Sequence, residues 1–328
     1  MAAVVESPAV SPAVVELEEY RRGLTAYCYR MLGSPFEAED AVQDTLTRAW
    51  RALDRFEGRA SVRSWLYRIA TNVCLDMIKS GKNRARPMDL GPARAPEASL
   101  LSTLPEERWI EPVPDSLLAP ENDPAELTVA RESIRLAFVA ALQHLPARQR
   151  AALILCEVLQ WRAAEAAELL ETSVASITSA LQRARATLAT VDSATTTRRG
   201  LEPADEEFLA RYVQAFERYD LDALTALIHE DATQSMPPFE LWLRGREDIF
   251  TWWYGPGIGC KGSRVVPTGS ANGSTAFGQY KPSDTGSGYE PWALQVLEIE
   301  NGRIVELTFF LATATLFPLF GLPLHLDG

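Results

Sequence analysis

At 328 residues the chain is longer than one ordinary hydrophobic core supports, so two or three domains are expected. Its 47% hydrophobic and 23% charged residues exclude a disordered, collagen-like or coiled-coil protein, and no apolar run approaches the ~20 residues of a membrane helix. The net charge of −12 argues against a nucleic-acid partner only until it is divided along the chain. The opening MAAVVESPAVSPAVVELEEY lacks a basic start and a long apolar stretch, so no secretory signal and a cytoplasmic location are expected. Cys28, Cys74, Cys156 and Cys260 are far apart with no CxxC, which fits free thiols in a reducing compartment. With only three histidines, also dispersed, neither a metal site nor a cofactor is expected.

Charge separates the chain into blocks. Residues 16–86 are net +3, 87–130 net −7, 131–199 net +3 and 200–328 net −10. Within the first block, residues 59–86 hold seven basic residues against Asp76 alone, a local patch able to bind phosphate on an acidic protein.

In chain order, residues 1–15 read as a loose tail. A helix over 16–33 carries Leu17, Tyr20, Leu24, Tyr27 and Met31 on one face, and Gly33-Ser34-Pro35 stops it. A second helix runs to about Leu53, with acids early and bases late. A third spans about Val62–Ser80. These make a small helical domain, 16–86. Residues 87–125 are acidic and Pro-rich, a linker or a segment ordered only by packing on something else. Domain 126–190 is helical, with Pro146 opening a helix to about Leu159, then helix, turn and helix over Arg162–Leu170 and Ser173–Ala189. A second linker covers 191–203. Domain 204–328 reads as helices to about His229, then antiparallel strands over Arg264–Pro267, Ser274–Tyr280, Trp292–Glu300 and Ile304–Phe310, with Asn301-Gly302 as a hairpin turn.

Two stretches suit nucleic acid. In Leu159–Ala189, alanines allow close helix contact, Val174, Ile177, Leu181 and Leu188 form a buried face, and Ser176, Thr178, Ser179, Gln182, Arg183 and Arg185 lie opposite. Such a helix fits a major groove, and it also fits an ordinary helical hairpin with a solvated face. In residues 56–86, basic residues alternate with Phe56, Trp65 and Tyr67, which suits an unpaired strand or simply a charged face over an aromatic core.

The order of these pieces resembles RNA polymerase sigma factors of the extracytoplasmic-function class. AEDAVQDTLTRAWRAL (Ala38–Leu53) resembles their polymerase-binding helix, RSWLYRIATNVCLDMIKSGKNR (Arg63–Arg84) their promoter-melting helix, and Leu145–Leu188 their minus-thirty-five-reading domain. The resemblance implies two all-α domains, a region-two helical bundle and a region-four helix-turn-helix. It implies that Glu39, Asp40, Gln43, Asp44 and Arg48 face core RNA polymerase. It places Arg59, Ser61, Arg63, Trp65, Arg68, Asn72 and Lys79 at the minus-ten strand, and Ser176, Thr178, Ser179, Gln182, Arg183 and Arg185 at the minus-thirty-five duplex. Several relatives carry arginine where this chain has Thr178 and Ala180, so base readout should differ. The acidic linker reads equally as a tether or as a nucleic-acid mimic.

EEFLARYVQAFERYDLDALTALIHEDATQSMPPFE followed by strands resembles the α+β SnoaL-like cone, a nuclear-transport-factor-two-like fold. Trp242, Trp252, Trp253, Tyr254, Trp292 and Phe309 are its candidate pocket or its core, and any small ligand is unknown. His229-Glu230-Asp231 reads as a helix end, and no convergent acid–base pair is visible, so no enzyme activity is expected. The expected function is a sigma factor that binds core polymerase and promoter DNA, with its extension contacting the sigma domains or linker and modulating activity. The extension's charge of −10 is a candidate for holding the basic DNA-binding faces closed. The apolar tail LFPLFGLPLHLDG reads as a groove-docking segment or a strand closing the domain. Two rivals stand: a ligand-responsive helix-turn-helix regulator, and a cyclase- or isomerase-type enzyme fused to a DNA-binding module.

Overall fold

The computed structural model describes residues 17–58, 60–80, 83–118, 133–194, 206–284 and 286–328. The expected tail over 1–15, much of the second linker, Arg59 and Lys82 lie outside the described residues.

The first module is three helices: α1 (Arg21–Leu32), α2 (Pro35–Ala52) and α3 (Val62–Ser80). Gly33 ends α1 at φ 77°, and its N–H donates to the Tyr29 carbonyl at 2.7 Å. Ser34 caps α2 by accepting from the Glu37 N–H at 3.3 Å, and Pro35 takes the first helical position, where no N–H is needed. Ser61 caps α3 through the Ser64 N–H at 3.1 Å. Leu24, Tyr27, Met31, Val42, Leu66 and Val73 are buried between the helices.

The second module holds α4 (Leu136–Gln143), α5 (Ala147–Leu153), α6 (Ala163–Leu169) and α7 (Val174–Ala194). The sequence pattern reads one helix from Pro146 to about Leu159. Instead α5 ends at Leu153 and the chain widens into a π turn, Ile154–Val158, closed by the Leu159 N–H on the Ile154 carbonyl at 2.9 Å. Buried Ala166 and Ala167 let α6 approach its neighbours closely. Glu171 makes the turn at φ 52°, and Ser173 caps α7 through the Ser176 N–H at 3.1 Å.

Two buried arginines stitch the modules together. Arg150 of α5 donates to the Met31 carbonyl across the junction, to Gln143 Oε1 at 2.6 Å and to the Leu145 carbonyl at 3.2 Å. Arg30 of α1 donates to Ser133 Oγ at 2.7 Å and to its carbonyl at 3.2 Å. Burial pulls both guanidinium groups down to about 10, so both stay charged at neutral pH.

The C-terminal domain contains α8 (Glu206–Arg218), α9 (Leu221–Leu227), β1 (Ile228–Ser235), β2 (Trp242–Arg244), α10 (Arg246–Tyr254), β3 (Arg264–Ala271), β4 (Ser274–Pro282), β5 (Tyr289–Glu300), β6 (Arg303–Phe310) and α11 (Thr313–Leu319). The sheet order is β2-β1-β6-β5-β4-β3. Here the structure corrects the sequence reading twice. Helix ends at Leu227, and His229, Glu230 and Asp231 lie on β1; that strand runs parallel to β6 in an otherwise antiparallel sheet. Pairing on both sides, with β2 and with β6, outweighs the weak apolar alternation of β1.

The two faces of the sheet differ. The inner face packs Phe277, Leu297 and Phe309 against Tyr212, Phe216, Trp252 and Trp253 of the helices. On the outer face, Ala276, Tyr280, Leu294, Val296 and Phe310 join one apolar cluster with the helical modules. The apolar tail supplies α11 there, with Phe317 5.1 Å from Tyr280, and then pairs Leu326 with Tyr289 in a single antiparallel bridge. Gly278 packs beneath it, where a β-carbon would stand 2.7 Å from a Leu322 side-chain methyl and push it aside.

The described part of the linker is bound along its length. Arg94 N–H donates to the Trp242 carbonyl at 3.0 Å, Leu104 N–H to Pro238 at 3.1 Å, and Glu111 N–H to Gly33 at 3.0 Å. The β3–β4 turn meets all of these parts at Asn272, which is 1% exposed. Its side chain accepts from the Val113 N–H at 2.9 Å and donates to the Tyr29 hydroxyl at 2.7 Å and to the Ile134 carbonyl. Its backbone N–H donates to the Val113 carbonyl at 3.1 Å. Asn272→Ala strands the Val113 N–H and places alanine at φ 52°. Urea unfolding should show a loss of about 2–4 kcal/mol, and Asn272→Gly, which relieves the backbone, a smaller one.

Candidate nucleic-acid interface

On α2, Glu39, Asp40, Gln43 and Arg48 are exposed and Asp44 is half-buried. Asp44 and Arg48 pair at 2.6 Å, one helical turn apart, and Glu39 pairs with Arg21 at 2.8 Å. Trp50 extends the Gln43 stripe by seven residues and is 59% exposed, an indole facing solvent that the sequence reading missed. An aromatic on the polar side of an otherwise amphipathic helix was the available signal.

On α3, Ser61 is held by its capping role, and half-buried Trp65 lies 4.7 Å from Phe56, anchoring both ends of the intervening loop. Asn72 is exposed, and Lys79 pairs with Asp76 at 2.9 Å. Arg63 and Arg68 face the second module. The Arg63 guanidinium lies 5.1 Å from the Trp161 ring centre and 5.7 Å from Tyr67, and Arg68 donates to the Glu168 carbonyl at 3.3 Å.

On α7, Ser176, Thr178, Gln182 and Arg183 are exposed and Ser179 is half-buried, while Ile177 and Ala184 are buried. Val174 departs from the apolar pattern: at the first turn of α7 it is 48% exposed, and burial on that helix begins at Ile177. Arg185 differs from Arg183. Its Nε and Nη2 both donate to Glu157 Oε1 on the π turn, the former at 2.8 Å, so the break in α5 places a carboxylate beside α7.

The four candidate pocket indoles do not converge. Trp252 and Trp253 are core residues, with Trp253 Nε1 donating to Gln234 at 2.6 Å. Trp242 donates to the Gly91 carbonyl at 2.9 Å, and Trp292 lies 3.7 Å under the Lys281 ammonium. Tyr254 is 43% exposed and Phe309 is core. The polar groups of the inner face bond each other: Tyr212 OH donates to Gln295 at 2.9 Å, Gln295 to Gln279 at 2.9 Å, and Gln279 to Ser263 at 3.0 Å. His229 Nδ1 accepts from the Asp231 N–H at 3.1 Å. A groove of about 610 Å³ beside α8, lined by Leu209, Val213, Glu217 and Pro267, contains none of the four indoles.

Residues 17–84 match the family described as Sigma-70 region 2, residues 135–188 match Sigma-70, region 4, and residues 209–307 match the SnoaL-like domain. The ECF RNA polymerase sigma factor SigG of Mycobacterium tuberculosis is 44% identical over 314 residues, 93% of this chain and 82% of that protein. The chain belongs to the ECF RNA polymerase sigma factors. The ECF sigma factor SigJ of the same organism is 32% identical over 225 residues, 67% of this chain and 63% of SigJ. The crystal structure of SigJ superposes with a TM-score of 0.59 at 24% identity, over 95% of this chain and 99% of that one, which shows a shared fold.

Within this sigma factor the two arginines of α7 should behave differently. Arg183→Ala is expected to lower the slope of log K against log salt by about 0.9 on a mixed-sequence duplex, and Arg185→Ala to leave it unchanged. Fluorescence anisotropy across a salt series checks this.

Proposed function

We propose that the chain binds core RNA polymerase through the exposed face of α2 and directs promoter-specific initiation. The 57–64 loop and α3 take the minus-ten strand. The Ser176, Thr178, Ser179, Gln182 and Arg183 face of α7 takes the minus-thirty-five duplex. Only Arg185, already paired with Glu157, is left out of the reading set. The observation that carries this reading is the split of α7 into a buried stripe and an exposed face of hydroxyls, an amide and a guanidinium, in the second of two modules in sigma order. Two weakly basic modules on one chain gain affinity from effective concentration, and polymerase supplies the rest.

The SnoaL-like domain serves as a regulatory scaffold. Its support is Asn272, through which one turn of the sheet holds region two, the linker and the start of region four together. The mutually bonded amides inside the cone favour this role over acid–base catalysis. The cytoplasm is the expected location, and no described helix is long and apolar enough to cross a membrane.

Run-off transcription with purified core polymerase on a genomic promoter library tests the proposal. The full chain should give promoter-specific transcripts, and Asn272→Ala should change their yield while core-polymerase binding persists. Failure of the full chain to bind core polymerase, with tight autonomous operator binding, would favour the free-standing regulator.

A further inference from the structure

The described linker divides between two apolar cores. Its later residues Ile110, Val113 and Leu118 are buried in the cluster of the helical modules. Its earlier residues Leu100 and Leu101 pack instead on the cone's own core, the cluster that holds Tyr212, Trp252 and Trp253. They do so at one end of the cone. The Ser102 carbonyl accepts from the Glu240 N–H at 2.9 Å, the Ser102 hydroxyl donates to Glu240 Oε2 at 2.6 Å, and Thr103 bridges Phe239. Phe239 and Glu240 belong to the loop between β1 and β2. The same loop takes the Leu311 N–H on the Pro237 carbonyl at 3.1 Å, just past the end of β6. The start of β5 lies at this end too, because Leu294 faces Phe310 across the strand pair. Half-buried Met236, Trp292 and Leu311 edge the cone's core there.

The linker turn over residues 95–101 is held unlike its flanks. Before it, Arg94 and Gly91 bond Trp242; after it, residues 102–104 bond the 238–240 loop. Within it the bonds are internal: the Glu97 N–H donates to the Ala95 carbonyl at 2.8 Å, Leu100 to Glu97 at 3.1 Å and Leu101 to Ala98 at 3.2 Å. Among the described residues the turn makes no hydrogen bond to the cone, and Ala95, Glu97, Ala98 and Ser99 are exposed. What it gives the cone is the side chains of Leu100 and Leu101, both half-buried.

We propose that this turn is a displaceable plug, and that the end of the cone it closes takes an uncharged apolar small molecule in place of Leu100 and Leu101. The plug supplies the regulatory scaffold proposed above with an input, and it rests on that reading. A contact made by aliphatic side chains alone has no charge or hydrogen bond for a competitor to match, so apolar area decides the exchange. The polar groups deeper in the cone bond each other, Tyr212 with Gln295 and Gln279 with Ser263, and Lys281 at this end lies over the Trp292 ring. A charged ligand would lose its water there without a free partner. The internal bonds of the turn let it swing out between Arg94 and Ser102 without stranding a backbone group of the sheet. Since the site is open only while the turn is out, the population of that state sets the apparent affinity.

The test uses the full chain and the double variant Leu100→Ser with Leu101→Ser, which withdraws the apolar contacts and keeps the backbone bonds of the turn. The probe is N-phenyl-1-naphthylamine, an uncharged molecule that fluoresces in apolar surroundings. The double variant should bind it about tenfold tighter or more than the parent chain. Saturating probe should speed cleavage of the parent chain after Glu97 by a glutamate-specific protease about threefold or more. Adding Met236→Lys, a charge at this end of the cone, should cancel the gain in affinity. Equal binding by parent and double variant, or a gain that survives Met236→Lys, would overturn the plug. Probe binding as expected, with run-off transcription unchanged at saturating probe, would uphold the site and overturn the regulatory reading.

Discussion

Asn272 is the constraint on which the arrangement of this sigma factor depends. A turn of the C-terminal sheet carries one amide into a site where α1, the linker and the chain entering α4 converge, and that amide satisfies a donor and acceptors from each. The Val113 N–H and the Ile134 carbonyl are backbone groups of two segments, and the Tyr29 hydroxyl of α1, which itself donates to the Glu111 carbonyl at 2.9 Å, joins them, so Asn272 ties α1, the linker and the chain entering α4 at one point, beside the Arg30 and Arg150 bonds. The outer face of the sheet then buries its apolar residues against the helical modules. The SnoaL-like domain is therefore a structural part of the sigma assembly and shares its core.

Charge acts at two scales. The blocks of opposite sign along the sequence do not pair wholesale. Named contacts form instead: Arg135 with Glu298, Arg86 with Asp89, Arg68 with Glu168 and Arg185 with Glu157. Glu298 and Glu306 are like charges directly opposite across a strand pair, an arrangement that needs nearby cations, and Arg135 and Arg86 supply them. The buried arginines at the region-two and region-four junction differ again. They bond carbonyl oxygens and neutral side chains, so they fix geometry with no carboxylate partner among the described residues.

Much of the helical architecture was legible because its signals are local. Gly33-Ser34-Pro35 stops one helix and starts the next through chemistry confined to three residues, and the Ser173 cap is equally short-range. The strand β1 was not legible, since IHEDATQS has no clean alternation and takes its conformation from neighbours β2 and β6. The π turn was hidden for the same reason: nothing in ILCEV marks it, yet it sets where Glu157 meets Arg185. At the interface, residue types placed the exposed face of α7, while the commitments of Arg63, Arg68 and Arg185 depend on partners 28 to 100 residues away. The candidate pocket illustrates the converse. Tryptophans were recognisable as large buried groups, but only the folded sheet shows that Trp242 serves the linker and Trp253 the core.

The central claim is that Arg30, Arg150 and Asn272 hold region two against region four in the free chain. Double electron–electron resonance between spin labels at exposed Thr47 on α2 and exposed Ala186 on α7 measures this directly. The account predicts one short, narrow distance distribution for the free protein and a broader, longer one for Asn272→Ala. A broad, long distribution in the free protein, or one left unchanged by Asn272→Ala, would contradict it.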